Sequence, residues 1–238
     1  MSYQRVLLKL SGEALGDPDG GHGIHPEMVQ LISRQVARVV GLGVEVALVC
    51  GGGNILRGAE FTRLGADRAN ADYMRMLGTV INAMALSDAI EREGVETRVM
   101  TAMEIRQVAE PFLHRRAQAH LSAGRVVILA AGTGNPFFTT DTAAALRATE
   151  LGCEILLKAT KVDGVYSADP KKDTSAERFS NITYMDVLSQ GLRVMDGTAI
   201  TLCMENNLPV MVFNLFEPGN LERVIRGEPL GTLIRSEA

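Results

Sequence analysis

The sequence lacks the features that identify several common classes of protein. No stretch approaches the roughly 18 apolar residues in a row that a membrane-spanning helix needs, so a membrane-embedded protein is not expected. The 238 residues include three cysteines, Cys50, Cys153 and Cys203, and no C-x-x-C spacing. We therefore expect reduced core thiols in the cytosol rather than a disulfide framework or a zinc site. The four histidines show no metal-ligand spacing either, so no metal-binding residue is predicted.

Basic charge and the best-known nucleotide motifs are also missing. The formal net charge is −4, which argues against nucleic acid as a main partner. There is no G-x-x-x-x-G-K-[ST], which excludes a P-loop NTPase, and no early G-x-G-x-x-G that would indicate a dinucleotide-dependent oxidoreductase. The loop set of protein kinases is absent as well. A strand-like run already begins at Val6, which leaves no room for a signal peptide, and we expect a soluble, cytoplasmic protein.

Short apolar runs alternate with longer amphipathic segments along the chain. The runs cover residues 6–10, 44–49, 95–100, 126–129, 155–157 and 209–213. This alternation predicts an α/β fold with a mainly parallel sheet covered by helices. The runs are almost continuously apolar, as expected for a parallel sheet that is buried on both faces.

Two of the segments between these runs predict long helices. Residues 26–42 repeat apolar side chains at helical spacing and carry charges on other faces, which indicates a surface helix. Residues 71–93 differ, because no charged side chain occurs between Met76 and Ser87. A helix that is apolar or neutral around its circumference is either central in the core or part of a subunit interface. The sequence leaves both alternatives open.

Glycine-bearing turns follow four of the predicted strands. Residues 130–141 (AAGTGNPFFTTD) join a strand to a helix start, where unpaired N–H groups favour an anion. Gly132 and Gly134 let the backbone approach a ligand, and Thr139, Thr140 and Asp141 supply N-cap chemistry. The other turns are residues 9–13, 51–58 and 158–166. Because ligands of open α/β sheets lie beyond the carboxyl ends of strands, the four turns predict one site for several phosphates.

Each of these features also has a purely structural explanation. A GGG after a strand can be a tight turn, a lysine there can be solvated, and Asp141 can be a simple N-cap. The four turns, however, also carry cations: Lys9, Arg57, Lys158 and Lys161. Phosphoryl transfer to a phosphate needs two anions held in line with their repulsion cancelled. Such cations can do this, Asp141 can fix the lysines, and Mg²⁺ arriving with ATP supplies the rest.

Four motifs together resemble the bacterial uridylate kinase (UMP kinase) family of the amino acid kinase superfamily. They are LLKLSGEAL at 7–15, GGGN-x-x-RG at 51–58, AAGTGNPFFTTD at 130–141 and LKATKVDGVYSADP at 157–170, with GTLI at 231–234. The resemblance implies a three-layer α/β/α sandwich, the amino acid kinase fold, in a single domain over residues 1–238. Its acceptor-binding part would lie mainly in 1–150 and its ATP-binding part mainly in 151–238. The implied reaction transfers a phosphoryl group from MgATP to UMP in pyrimidine nucleotide biosynthesis.

The same resemblance implies roles for individual residues. ATP would be bound by Lys9, Leu10, Ser11, Gly12, Gly53, Arg57, Thr160, Tyr166 and Asp169. UMP would be bound by Gly52, Asp72, Thr133, Gly134, Asn135, Pro136, Phe137, Phe138, Thr139 and Thr140. The catalytic set would be Lys9, Asp141, Lys158 and Lys161, with either Lys158 or Lys161 joining Lys9 on the transferring group and Asp141 orienting the lysines.

The resemblance further implies a homohexamer that GTP activates and UTP inhibits. The segment expected to respond to GTP consists of Pro18, Asp19, Gly20, Gly21, His22 and Gly23. The uncharged segment 76–87 suits a buried interface in such an assembly.

Two other functions are weighed against this one. A superfamily relative that phosphorylates a carboxylate or carbamate should lack the aromatic, threonine-rich TGNPFFTT. A nucleotide-sensing regulatory subunit that has lost activity should have lost Lys9 or Asp141, and both are present.

Overall fold

The computed structural model describes residues 3–18, 20–56, 65, 67–168, 172–173, 175–192 and 194–237. The strands are β1 (Arg5–Leu10), β2 (Glu45–Cys50), β3 (Thr97–Thr101), β4 (Glu110–Pro111), β5 (Val126–Ala130), β6 (Ile155–Thr160), β7 (Asn181–Thr183), β8 (Val210–Asn214) and β9 (Thr232–Arg235). The helices are α1 (Pro26–Gly41), α2 (Arg68–Arg92), α3 (His114–Ser122), α4 (Thr140–Leu151), α5 (Tyr184–Ser189), α6 (Gly197–Glu205) and α7 (Asn220–Ile225).

The described strands form a nine-stranded sheet in the order β4-β3-β5-β2-β1-β6-β8-β9-β7. Within it β8 and β9 pair antiparallel, and the other neighbours pair parallel. Strands β1 to β5 therefore occupy one side and β6 to β9 the other, and the two sides meet where β1 pairs with β6. This arrangement confirms the predicted mainly parallel sheet, and it brings the carboxyl ends of β5, β2, β1 and β6 next to one another.

Helices cover both faces of the sheet and bury two separate apolar clusters. Successive residues of β1 contribute to different clusters: Leu8 packs with side chains of α1, α2 and α7, and Leu7 packs with side chains of α3, α4, α5 and α6. Side chains that alternate along a strand thus pack into two cores, one on each face, as expected for a sheet buried on both faces. The result is the predicted three-layer α/β/α sandwich.

The long predicted elements are present, with small shifts at their ends. The first helix ends one residue earlier than predicted, at Gly41. The second begins three residues earlier, at Arg68, because the Asp67 side chain accepts a hydrogen bond from the Asn70 N–H and caps it. Three short strands, β4, β7 and β9, were not predicted from apolar runs. β4 is only two residues long, and β7 only three.

Helix α2 is neither fully internal nor fully exposed. Its inward face buries Met76, Thr79, Asn82 and Ala83. Its outward face carries an apolar stripe of side chains that are 36% to 48% exposed: Tyr73, Met74, Leu77, Ile81 and Met84. Although α2 has 25 residues, no helix in the described parts of the chain is long and apolar enough to cross a membrane.

Candidate active site

Two lysines and one aspartate form an ion cluster near the carboxyl ends of the central strands of the sheet. Lys9 of β1 and Lys158 of β6 are register partners on adjacent strands. The Nζ atom of Lys9 lies 2.7 Å from Oδ1 of Asp141, and the Nζ atom of Lys158 lies 2.7 Å from Oδ2. Each carboxylate oxygen therefore pairs with one ammonium group, and the cluster keeps an excess of one positive charge.

The cluster is largely removed from solvent, since the three side chains are 8% to 15% exposed. Burial by itself would raise the pKa of Asp141, but the ammonium groups of Lys9 and Lys158 outweigh it and hold that pKa below its ordinary value. Burial lowers the pKa of Lys158, and the nearby Asp141 carboxylate only partly counteracts this effect. Charges in so poorly solvated a site interact more strongly than they would in water.

The start of α4 places Asp141 opposite the lysines. The N-cap is Thr139, whose Oγ1 accepts hydrogen bonds from the N–H groups of Asp141 at 3.1 Å and Thr142 at 3.2 Å. The interpretation of Asp141 as a simple N-cap is therefore wrong, and its carboxylate is available to the lysines. The hydroxyl groups of Thr139 and Thr142 both donate to the carboxylate of Asp196, which also caps α6. These hydrogen bonds fix the start of α4 against α6.

The loop before α4 has an unusual backbone that α2 supports. Ala131 and Phe137 have φ values of 62° and 72°, which are uncommon for residues with a side chain. The N–H of Phe137 donates to Oδ2 of Asp72 at 2.9 Å, and the N–H of Ala131 donates to Oγ1 of Thr79 at 2.7 Å. Buried polar side chains of α2 thus hold the loop in a conformation that it would not favour alone.

A cavity between α2 and this loop collects most of the residues expected to bind UMP. Its lining includes Gly52, Asp72, Thr133, Asn135, Phe138, Thr139 and Thr140 from the predicted set, together with Arg75, Met76, Thr79 and Gly132. We call it the acceptor cavity. The other predicted residues, Gly134, Pro136 and Phe137, belong to the same loop but are not in the lining.

A second cavity lies beyond the end of β6. It is lined by the predicted ATP-binding residues Thr160 and Tyr166 and by residues of two loops, among them Gly164, Gln190, Gly191 and Val194. Val194 connects this cavity to the ion cluster, because its carbonyl oxygen accepts a hydrogen bond from Nζ of Lys158. The pKa of Tyr166 is raised, first by its hydrogen bond to Asp163.

The turns after β1 and β2 lie against each other beside the cluster. A Cβ atom on Gly12 would lie 2.5 Å from the backbone nitrogen of Gly53, so a side chain could not be accommodated there. Ser11 immediately precedes Gly12 in the chain, and Leu10 is a buried residue of β1. The predicted residues Leu10, Ser11, Gly12 and Gly53 are therefore together in the structure.

Other predicted residues lie away from the cluster. Lys161 is exposed and lines a separate cavity with Glu13, Pro18 and Asn214, so Lys158 rather than Lys161 contacts Asp141. Of the segment expected to respond to GTP, Gly21 and His22 make backbone hydrogen bonds with Asp17, and Gly23 is hydrogen-bonded to Asn54. Arg57, Asp169 and Asp19 lie outside the described residues.

The model of the amino acid kinase family matches residues 4–214. The chain belongs to the amino acid kinase family. Among solved structures, this member of the amino acid kinase family is similar to a UMP kinase from Bacillus anthracis, with 42% identity, a TM-score of 0.97, and coverage of 100% of this chain and 98% of that one. It is also similar to a UMP kinase from Ureaplasma parvum, with 35% identity, a TM-score of 0.93, and coverage of 99% and 100%. The resemblance and the fold class predicted from the sequence are thereby confirmed.

Proposed function

We propose that this amino acid kinase family member transfers a phosphoryl group from MgATP to UMP, giving ADP and UDP, in pyrimidine nucleotide biosynthesis. The observation that carries the proposal is the position of the Lys9–Asp141–Lys158 cluster between two cavities. Thr140 of the acceptor cavity adjoins Asp141 in the chain, and Val194 of the second cavity accepts a hydrogen bond from Lys158. The likeness of the whole chain to two UMP kinases supports the same reaction.

In this proposal the protein acts by positioning and by electrostatic stabilisation. The acceptor phosphate and the transferring γ-phosphoryl group are both anionic, and they must approach in line. Lys9 and Lys158 supply the positive charge that cancels their repulsion. Asp141 pairs with both ammonium groups and fixes their positions, so that no reorganisation is needed when the transition state forms. No covalent intermediate with the protein is required.

We propose that Mg²⁺ is bound mainly by phosphate oxygens and enters as MgATP. Both carboxylate oxygens of Asp141 are occupied by ammonium groups, and the described residues contain no cluster of three or more histidine, cysteine or acidic side chains that could hold the ion. The residues at hand therefore fit the phosphates of MgATP rather than the ion itself. When bound, Mg²⁺ would neutralise charge on the β- and γ-phosphates.

The acceptor cavity favours a nucleotide over a small carboxylate. Its lining provides hydroxyl groups from Thr133, Thr139 and Thr140, an aromatic ring from Phe138 and the carboxylate of Asp72. A second carboxylate would be repelled by Asp72, whereas the hydroxyl groups of a sugar could donate to it. These features support UMP as acceptor and ATP in the second cavity.

We further propose that the enzyme forms a homohexamer regulated by GTP and UTP, as its resemblance to the family suggests. The exposed apolar stripe on α2 is the kind of surface that a subunit contact would cover. The expected GTP-response segment is tied to the turn after β2, because the Asn54 side chain donates to the Gly23 carbonyl at 2.6 Å and the Gly23 N–H donates to the Asn54 carbonyl at 2.8 Å. A change in this segment could therefore reach the phosphate turn. Because ATP and UMP are intracellular metabolites, the proposed location is the cytoplasm.

The proposal is tested by measuring ADP release from MgATP with separate acceptors: UMP, CMP, acetylglutamate and carbamate. We expect turnover with UMP well above the others. Activity on acetylglutamate or carbamate in the absence of activity on UMP would leave family membership intact but refute the acceptor. Repeating the UMP assay with GTP and with UTP tests regulation separately.

A further inference from the structure

The GGGN motif ends in a residue that has no role in the site described so far. Asn54 closes the turn after β2, in which Gly52 lines the acceptor cavity and Gly53 contacts the turn after β1. Asn54 is 2% exposed, and Asn82, on the inward face of α2, is 0% exposed. A buried amide costs free energy unless its hydrogen bonds are made. Two such groups beside a proposed phosphate site therefore call for an explanation.

The two amide side chains face each other and exchange hydrogen bonds. Nδ2 of Asn82 donates to Oδ1 of Asn54 at 2.7 Å, and Nδ2 of Asn54 donates to Oδ1 of Asn82 at 3.0 Å. Each amide group also donates to a backbone carbonyl, Asn82 to Gly51 at 2.7 Å and Asn54 to Gly23 at 2.6 Å. An amide carries two N–H hydrogens, so all the donor hydrogens of both side chains are used. We call Asn54 and Asn82 the amide pair.

The amide pair forms the surface on which the turn after β1 rests. A Cβ atom on Gly12 would lie 2.6 Å from Oδ1 of Asn54 and 2.8 Å from the carbonyl oxygen of Gly51. These are the same two oxygen atoms that accept hydrogen bonds from Asn82. Asn82 therefore fixes the atoms against which Gly12 packs, and with them the distance between the two turns.

This distance matters because the two turns serve different parts of the site. The turn after β1 follows Lys9 of the ion cluster, and the turn after β2 includes Gly52 of the acceptor cavity. A backbone hydrogen bond of 2.9 Å from the Gly51 N–H to the Leu10 carbonyl joins them. In-line transfer requires closely aligned phosphates, and a shift of about 1 Å can cost about 100-fold in rate. Since Asn82 is fully buried, it can act on the reaction only through these turns.

A buried amide can also serve the fold alone, and α1 provides an example. Gln35 is 6% exposed, and its Nε2 donates to the carbonyl oxygen of Leu215 at 3.0 Å. Neither residue belongs to the ion cluster or to the lining of the acceptor cavity. Replacing this amide shows what the loss of a buried donor does to the protein when no phosphate turn is involved.

We propose that Asn82 is a positioning residue for phosphoryl transfer, which acts through Asn54 and the Gly51 carbonyl to fix the distance between the turns after β1 and β2. The inference rests on the proposed function, which supplies the two phosphates that these turns align. It adds a residue of α2 that governs the rate without touching either substrate.

The test replaces Asn82 by aspartate, which has nearly the same shape. An ionised carboxylate still accepts a hydrogen bond from Asn54, but it has no hydrogen to donate to Gly51 or to Oδ1 of Asn54. We expect kcat of Asn82→Asp with UMP and MgATP to fall about 100-fold. The Kd for UMP, measured by calorimetry, and the KM for ATP should each change by less than about threefold, because the groups that contact the substrates are unaltered.

Three further variants separate positioning from stability. Gln35→Glu makes the same chemical change away from the turns, so it should lower the midpoint of thermal unfolding as Asn82→Asp does while kcat stays within about twofold of the wild type. Asn82→Ser keeps a hydroxyl donor and leaves room for a water molecule, so kcat should fall only about tenfold. Asn54→Ser combined with Asn82→Ser should lower kcat no more than the more damaging single change, because the two side chains act as one unit.

The possible results separate the inference from the proposed function. If the wild type phosphorylates UMP but folded Asn82→Asp and Asn82→Ser retain near-normal kcat, the positioning role is wrong and the proposed function stands. The same conclusion follows if Gln35→Glu lowers kcat as much as Asn82→Asp, if the losses in the double variant are additive, or if circular dichroism shows that neither variant of Asn82 folds. If the wild type does not phosphorylate UMP, the proposed function fails and the inference fails with it.

Discussion

Replacing Asp141 by asparagine tests the ion cluster most severely. The carboxylate makes two contacts of 2.7 Å with ammonium groups, and hydrogen bonds to charged groups contribute about 1.5–3 kcal/mol each. Asparagine retains one acceptor oxygen but no charge, so Lys9 and Lys158 would repel each other without compensation. If about 2.7 kcal/mol of transition-state stabilisation is lost, kcat falls about 100-fold.

The assay is steady-state turnover of UMP with saturating MgATP, together with UMP binding by calorimetry. We expect kcat of Asp141→Asn to fall by about 100-fold or more while the Kd for UMP changes by less than about threefold, because the carboxylate acts through the lysines. Asp88→Asn is the matched control, since Asp88 is 65% exposed and pairs only with Arg92 among the described ion pairs. A folded Asp141→Asn protein with near-normal kcat would refute the role of Asp141.

Three further predictions use different measurements. Burial lowers the pKa of Lys158, and the Asp141 carboxylate partly restores it. The fall in kcat at alkaline pH should therefore begin at lower pH in Asp141→Asn than in the wild type, and an alkaline limb of the pH–kcat profile at the same pH in both proteins would contradict this. Burial raises the pKa of Cys50, Cys153 and Cys203 to about 12. A thiol reagent near neutral pH should therefore label these cysteines only after denaturation, and rapid labelling of the native protein would contradict this prediction. Ile81→Glu should reduce the sedimentation coefficient by breaking the oligomer, whereas Arg92→Glu should not; an oligomer that survives Ile81→Glu would show that the stripe is not an interface.

The sequence predicted the central sheet well because its strands carry their own signal. The runs that became β1, β2, β5 and β6 are apolar on both faces, and burial between two helix layers requires that. The short strands β4, β7 and β9 carry no such signal. The pairing of β9 with β7 and β8 places it in the sheet, and that pairing depends on contacts between distant parts of the chain.

The site was predicted in its parts but not in its pairings. Asp141 was expected to orient two lysines, and the structure shows that contact. The choice between Lys158 and Lys161 could not be made, because it depends on where β6 ends and on the register of β6 against β1. That register is set by the packing of the whole sheet.

Arg75 and the two faces of α2 show a second limit of sequence analysis. An arginine on a helix is ordinarily solvated, and only the folded structure shows that Arg75 borders the acceptor cavity. The uncharged segment 76–87 likewise gave no means of separating buried from exposed positions. Ala83 is fully buried, whereas Ile81, two residues earlier, is 48% exposed.

The central claim is that UMP receives the phosphoryl group. It is tested most directly by ³¹P NMR of the wild-type protein with MgATP and UMP, which distinguishes the β-phosphate of newly formed UDP from free phosphate. We predict that UDP and ADP appear together in equal amounts as ATP and UMP are consumed. Loss of ATP with release of free phosphate and no UDP, or no loss of ATP until acetylglutamate or carbamate is added, would contradict the account.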